Sequence, residues 1–363
     1  MKTKTATTAP RPTGWKLLLL ATLPVVLVVL LAELALHLVG FPHDPETLLR
    51  AHFVPAGKGW MVTRPLYTRI ETSGHPQRLR REKGSAVLRV ALLGGSSVRM
   101  MGDAPPLEEI LERALGKDVQ ILNFGLCGCG TDRALVSARQ ALKLDVDAIL
   151  LYSGHNEFIS ESNRKTYQQR GWLHRHSKIL QLCIGNAWIP EPGKLYSPAE
   201  KEAIYTRSEQ NLRELSRLCR DADVPLVWGT VPANLRIPPL VYMKGQHGSG
   251  ELAPEPMFEF QRGADLYNRE RYPEAKQVLQ QAIGASPRPW RATWRNNLIL
   301  RDLARELGVP FADVEQHVSD ASPQAIPGPS LFTDHCHLNE DGYIILMKTF
   351  AEMLIQELQG KSR

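Results

Sequence analysis

The stretch that decides the fold is residues 87–97, which read VLRVALLGGSS. Its first seven residues are nearly all apolar and rich in branched side chains, and two glycines end the run. Such a run predicts a strand that is buried on both faces of a parallel sheet. The glycines allow a tight turn that leaves Ser96 at the carboxyl end of the strand, the edge where open α/β sheets place ligands. A serine after a glycine pair also fits a purely structural strand-to-helix turn.

Three later stretches each follow an apolar strand or precede a helix. Residues 122–130 read LNFGLCGCG, residues 152–158 read YSGHNEF and residues 333–343 read TDHCHLNEDGY. Together with Gly-Gly-Ser-Ser, and in this order, they resemble the four sequence blocks of the SGNH (GDSL) hydrolases. Each block is short, but four in the right order make a specific signal.

The resemblance implies a serine hydrolase whose catalytic residues are Ser96, Asp334 and His337. Ester hydrolysis needs a nucleophile, a base that takes its proton, and a group that orients the base. Ser96 matches the nucleophile of the family, and Asp334 and His337 match its closing Asp-x-x-His. The Ser…Asp…His order also occurs in α/β-hydrolases, but the G-x-S-x-G elbow of that fold is absent around Ser96.

The resemblance also implies an oxyanion hole, built from the backbone N–H groups of Ser96 and Gly128 and the side-chain amide of Asn156. Preorganised donors of this kind stabilise the charge that develops on the acyl oxygen. Two positions depart from the family, since Gly95 replaces the Asp of Gly-Asp-Ser and Glu157 replaces the Asp that often follows the asparagine. Neither change removes a catalytic atom. Asn156 as a turn cap, Gly128 as a turn residue and Asp334 as a helix N-cap remain structural alternatives.

The rest of the chain alternates strands with helices, which predicts an α/β fold with three α/β/α layers and a parallel five-stranded sheet. This SGNH-hydrolase-like domain is predicted over residues 86–363. The predicted strands are Val87–Leu93, Val119–Phe124, Ala148–Tyr152, Pro225–Val231 and Phe311–Val314. The predicted helices are Leu107–Leu115, Thr131–Leu144, Ala199–Ala222 and Leu338–Leu358.

A helical insertion over residues 256–308 interrupts this domain. Within it, Gly263, Ala275 and Ala282 have the small-residue spacing of one tetratricopeptide-like hairpin, although Glu259 and Arg262 stand where that repeat has apolar residues. A single repeat cannot bury its own apolar face, so we expect it to pack on a neighbouring helix. A structural hairpin, a lid and a groove for a protein partner are all open interpretations.

The N-terminus predicts a single-pass membrane protein. Residues 17–39 form an apolar run long enough to cross a bilayer of about 30 Å. Residues 1–16 carry basic side chains and no acid, so the positive-inside rule predicts a cytoplasmic tail. The rest of the chain is then extracytoplasmic, on the periplasmic side of a bacterial inner membrane. We favour this uncleaved signal-anchor over a cleaved signal peptide because the run exceeds a usual h-region and lacks a cleavage site of the A-x-A type.

Residues 40–85 are predicted to be a basic juxtamembrane linker. Its arginines and lysine outnumber its acids near the end of the segment, which fits contact with anionic headgroups. A solvated linker that ends in an edge strand fits equally well.

Other function classes find less support in the sequence. The net charge of +6 is dispersed, and no base-reading motif is present, so we expect no nucleic-acid partner. The turn after the first strand lacks G-x-G-x-x-G, which argues against a dinucleotide site. We expect no cofactor and no metal. The sharpest alternative is a zinc site, for which the candidate ligands are Cys127, Cys129, His335, Cys336 and His337. The spacing C-x-C does not fit that reading well.

The sequence therefore predicts a membrane-anchored esterase that acts on O-acyl esters, including O-acetyl polysaccharide or lipid. The resemblance also admits transfer of an acetyl or acyl group in the cell envelope. A non-catalytic scaffold that binds partners through the helical insertion is the third interpretation.

Overall fold

The computed structural model describes residues 14–39, 52–63, 75–161, 176–184, 195–239 and 254–360. The chain divides into two units. The smaller unit comprises Met1–Pro45 and Gln169–Asn186, and the larger comprises Glu46–Gln168 and Ala187–Arg363.

The strands of the described residues all belong to the larger unit. They are β1 Phe53–Pro55, β2 Trp60–Thr63, β3 Arg78–Arg80, β4 Val87–Gly94, β5 Asp118–Asn123, β6 Ala148–Tyr152, β7 Leu226–Gly229 and β8 Phe311–Ala312.

The helices occur in both units. They are α1 Gly14–Leu38, α2 Ser96–Met100, α3 Pro105–Leu115, α4 Thr131–Ala141, α5 Lys178–Ile184, α6 Pro198–Asp221, α7 Pro254–Asn268, α8 Tyr272–Ala285, α9 Trp294–Leu307, α10 Val314–Ala321 and α11 Glu340–Gly360.

The centre of the larger unit is a five-stranded sheet in the order β5-β4-β6-β7-β8, with every neighbouring pair parallel. Strand β4 lies between β5 and β6, and its residues from Leu88 to Gly94 are buried. Helices α3, α10 and α11 pack together, and α4, α6 and α9 form another packed group. The predicted α/β fold with a parallel five-stranded sheet is confirmed.

The helical insertion contributes α7 and α8, which pack on each other, and α8 also contacts α9. Its apolar face closes on a small core of Leu235, Ala275, Leu279, Ile283 and Ile326. Gly263 allows this close packing, because a Cβ there would lie 2.7 Å from Leu279 Cγ.

The segment predicted as a linker contains folded structure. Strands β1, β2 and β3 form an antiparallel sheet, and Phe53 and Leu79 join the main core. The guanidinium groups of Arg78 and Arg80 stack on Trp60, at 4.2 and 4.1 Å from the ring centroid. At least part of the basic charge of this segment therefore covers an aromatic side chain.

In the smaller unit, α1 is long and apolar enough to cross a membrane, and its window from Ala21 to Leu38 has a mean hydropathy of 2.2. The same length and composition also fit a signal sequence. Helix α5 packs against α1.

Candidate active site

The nucleophile candidate lies where β4 turns into α2. Ser96 is the first residue of α2 and follows Gly95, its N-cap residue. A Cβ at Gly94 would lie 2.2 Å from the carbonyl oxygen of Tyr152, so only glycine fits between the two strands. The close approach of β4 and β6 therefore explains the glycine that precedes the turn.

Three side chains that are far apart in the sequence form a hydrogen-bonded chain at this turn. Ser96 Oγ lies 2.7 Å from His337 Nε2, and His337 Nδ1 lies 2.6 Å from Asp334 Oδ2. With the proton on Nδ1, the imidazole donates to Asp334 and accepts from the hydroxyl of Ser96. This geometry suits removal of the serine proton by His337.

Asp334 is held as a carboxylate by its surroundings. Its Oδ1 accepts hydrogen bonds from the backbone amides of Cys336 at 2.8 Å and His337 at 2.7 Å. Partial burial raises the pKa of Asp334, but the hydrogen bonds from the His337 side chain and from these amides outweigh it and hold the pKa well below its ordinary value. An ionised Asp334 can stabilise a protonated His337.

The oxyanion candidates are placed beside the same turn. A Cβ at Gly95 would lie 2.4 Å from Asn156 Nδ2, so the amide of Asn156 packs directly against the residue that precedes Ser96. The same amide donates to the carbonyl oxygen of Cys129 at 3.2 Å. Gly128 immediately precedes Cys129 and has φ of +67°, a left-handed conformation that favours glycine.

No family model matches the sequence, and the search of curated proteins found no match. Solved structures do match. The matched structures include GDSL-like lipases, acetyl xylan esterases and an SGNH-family esterase. They include a GDSL-like lipase from Bacteroides thetaiotaomicron (12% identity, 74% of this chain and 88% of that chain, TM-score 0.40). An acetyl xylan esterase (11% identity, 73% and 98%, TM-score 0.40) and an esterase of the SGNH-hydrolase family (12%, 76% and 99%, TM-score 0.32) also match.

Glu157 connects the two loops that carry Gly128 and Asn156. Its carboxylate accepts from the backbone N–H of Thr131 at 3.0 Å, from the Thr131 hydroxyl at 2.9 Å and from Ser153 Oγ at 3.4 Å. Burial, and then the charge of Asp132, raise the pKa of Glu157 to about 7. In the sequence, Glu157 differs from the Asp that often follows the block-three asparagine, but nothing there indicates its contact with Thr131. The only feature of the sequence that could have drawn attention to Glu157 is that it directly follows Asn156.

Two further polar residues, His155 and Arg291, are buried close to the candidate site, and neither was predicted from the sequence. His155 Nδ1 accepts from the backbone N–H of Ala292 at 3.0 Å. Burial, followed by the proximity of His337, lowers the pKa of His155 well below its ordinary value, so His155 stays neutral. Arg291 donates to the carbonyl oxygens of Asn234 and, at 3.0 Å, of Ile237.

Asn234 extends these contacts to the loop that carries Asp334. Its side-chain amide donates to the carbonyl oxygen of Asp334 at 3.0 Å, and its backbone N–H donates to that of His335 at 3.2 Å. Arg291 and Asn234 therefore connect the segment after β7 to the Asp-x-x-His loop. No local pattern in the sequence signals this connection, because each contact joins residues that are far apart in the chain.

The metal-site candidates group differently from the predicted zinc set. Among the described residues, the potential ligand atoms of Asp334, His335 and Cys336 lie within 4.8 Å of one another, and neither Cys127 nor Cys129 belongs to this group. Burial raises the pKa of the Cys129 thiol to about 12 and also raises that of the Cys336 thiol, so both thiols are protonated in the absence of a metal ion. An ion in this group would also compete with His337 for Asp334.

Proposed function

We propose that the chain is a membrane-anchored serine esterase of the SGNH type. The observation that supports this most directly is the hydrogen-bonded chain from Ser96 Oγ through His337 to Asp334. The three residues match the nucleophile, base and acid positions of the family blocks. The loops beside them carry the family's oxyanion residues.

In the proposed reaction, Ser96 Oγ attacks the acyl carbon of an ester while His337 Nε2 takes the hydroxyl proton. Asp334 stabilises the imidazolium and keeps its ring oriented. The tetrahedral intermediate then collapses, His337 protonates the departing alcohol, and an acyl group remains on Ser96. A water molecule, deprotonated by the same histidine, releases the acid and restores the serine.

The backbone N–H groups of Ser96 and Gly128 and the amide of Asn156 would donate to the negatively charged oxygen of this intermediate. Loss of one such donor typically raises the barrier by about 2.7–4 kcal/mol. Glu157 would hold the donors in register, because it joins the start of α4 to the residue after Asn156.

The proposed substrates are O-acyl esters, with O-acetyl groups of envelope polysaccharide and lipid esters as the leading classes. Transfer of the acyl group to an acceptor other than water is the alternative outcome of the same acyl-enzyme. We also propose that residues 17–39 anchor the protein, with the N-terminus in the cytoplasm and the hydrolase domain outside it. The basic residues before the apolar run support this orientation.

The test is hydrolysis of p-nitrophenyl esters of increasing acyl length by the full chain in detergent. We expect turnover that is lost in Ser96→Ala and His337→Ala, and no further loss when both are combined, because such residues act as a unit. Ser97→Ala is the matched control and should stay active. Turnover that persists in Ser96→Ala and disappears in Ser97→Ala would contradict the proposed nucleophile.

A further inference from the structure

Glu33 is an acidic residue within the apolar helix α1, and its carboxylate contacts a distant part of the chain. Ser177 Oγ donates to Glu33 Oε2 at 3.0 Å, and so does the backbone N–H of Ile179 at the same distance. The backbone N–H of Lys178 donates to Oε1 at 2.5 Å. The carboxylate therefore accepts three hydrogen bonds at the beginning of helix α5.

These contacts explain how a carboxylate can be tolerated in a membrane helix. Ionisable groups in lipid are costly and are found paired within the protein, and every backbone polar group there must find a partner. Both requirements are met by the same contacts. The Glu33 carboxylate accepts hydrogen bonds from the N–H groups of Lys178 and Ile179, and these N–H groups stabilise its negative charge. His37, one turn further along α1, lies 3.0 Å from the same carboxylate.

The position of Glu33 along α1 also indicates how deep α5 would lie in the membrane. Glu33 lies six residues before Val39, the end of the apolar run, and the rise of an α-helix makes that distance about 9 Å. Amphipathic helices that lie in a membrane interface bury their apolar side chains to a depth of about 5–10 Å. If α1 is the anchor and its C-terminal end lies on the outer side, α5 would lie at interfacial depth on that side.

The composition of α5 fits such a place. Its sequence is KILQLCI, with its one charged residue, Lys178, at the first position. The side chain of Leu182 is 51% exposed. Apolar side chains along α1 are exposed to a similar degree, for example Leu34 at 55%. Lipid acyl chains would cover these side chains on both helices at once.

We propose that residues 176–184 form a second membrane-contacting element, in which α5 lies in the outer leaflet with the exposed side chain of Leu182 against lipid and Glu33 holds it there. This proposal rests on the proposed membrane anchor and is independent of ester hydrolysis. It requires that α1 be retained in the mature protein, because removal of α1 would leave α5 without Glu33.

The first test measures lipid contact in nanodiscs. Leu182→Trp in the full chain adds one tryptophan to the seven that are present, so the emission gained over the wild type reports on position 182. We expect lipids brominated on their acyl chains to quench this added emission at least twofold. Leu298→Trp, on α9 and 44% exposed, is the matched control and should not be quenched. Equal quenching at the two positions would overturn the proposal.

The second test measures the contact with Glu33 by hydrogen exchange of the peptide that covers residues 176–184. We expect Glu33→Ala to speed exchange of the Lys178 and Ile179 amides at least tenfold, while Leu34→Ala leaves it unchanged. Glu33→Gln retains one carbonyl oxygen and should fall between the two. Slow exchange in Glu33→Ala would overturn the proposal, and so would a mature N-terminus beyond Gly40. Membrane fractionation of the same samples reports separately on the anchor, and hydrolysis of p-nitrophenyl esters reports separately on the esterase.

Discussion

The contact between Gly95 and Asn156 makes a quantitative prediction for Gly95→Ala. The added Cβ would lie 2.4 Å from Asn156 Nδ2 and 3.1 Å from the carbonyl oxygen of Cys129. An ordinary contact of a Cβ is at least 3.4 Å, so the amide of Asn156 must move by about 1 Å. The φ of Gly95 is −88°, outside the left-handed region, so the substitution acts through this contact.

A displacement of that size should cost catalysis more than stability. Misplacing a catalytic group by about 1 Å can cost roughly 10²-fold in rate, and losing one oxyanion donor costs about 10²–10³-fold in kcat. We therefore expect kcat of Gly95→Ala to fall about 10²-fold in a p-nitrophenyl ester assay. The melting temperature should change by no more than a few degrees, because the side chain that must move is short and has one polar contact to lose.

A double-mutant cycle separates this cause from general damage. In an Asn156→Ala background, Gly95→Ala should reduce kcat by less than about threefold, since the displaced amide is already gone. Gly84→Ala is the matched control, because its Cβ would meet only Val87 Cγ2 at 3.3 Å. Unchanged kcat in Gly95→Ala would refute the placement of Asn156 in the oxyanion hole. A 10²-fold loss of kcat in both backgrounds would show that Gly95→Ala does not act by displacing the amide of Asn156.

Three further predictions concern pH, metal and topology. Burial raises the pKa of Glu157 to about 7 from an ordinary value of 4.5, so stability from this group is present below about pH 4.5 and is lost as the pH rises through about 7. The part of this loss that falls between pH 5 and pH 8 is about 2–3 kcal/mol, and Glu157→Gln should remove it from the difference in unfolding free energy between those two pH values. An identical pH dependence in both proteins would contradict this prediction. The double variant Cys127→Ser/Cys129→Ser should keep most of the ester hydrolysis, and chelators should not abolish the activity of the wild type. If purified wild-type protein holds stoichiometric zinc, and the double variant loses both the zinc and the activity, the metal interpretation is supported instead. A reporter that is active only outside the cytoplasm, fused after Arg363, should be active, whereas a signal from a cytoplasmic reporter would reverse the topology.

The sheet could be predicted because its strands carry dense local signals. Residues Ala148–Tyr152 form a strand with the predicted bounds, and β4 begins at the predicted Val87 and ends one residue later at Gly94. Strands that are buried on both faces read as continuous apolar runs, and glycines mark their ends. The short family blocks then predicted which residues would meet at the sheet edge, and Ser96 and His337 lie within hydrogen-bond distance there.

The features that the sequence did not predict depend on long-range contacts. The strands β1 to β3 have three or four residues each, too few for a periodic pattern, and their arginines suggested a linker. Arg291 resembles any surface arginine in the sequence, yet it is buried among backbone carbonyl groups. Glu33 likewise gave no sign of its partners, because Ser177 and Lys178 lie more than a hundred residues away in the chain.

The most direct test of the central claim is to locate a covalent adduct. A fluorophosphonate reacts with a serine only when a neighbouring base activates it, so mass spectrometry of the labelled full chain reports which serine is nucleophilic. We predict a single adduct on Ser96, absent from His337→Ala, from Ser96→Ala and from denatured protein. An adduct on Ser97 or on any other serine, or no adduct on a folded protein that hydrolyses esters, would contradict the proposed mechanism.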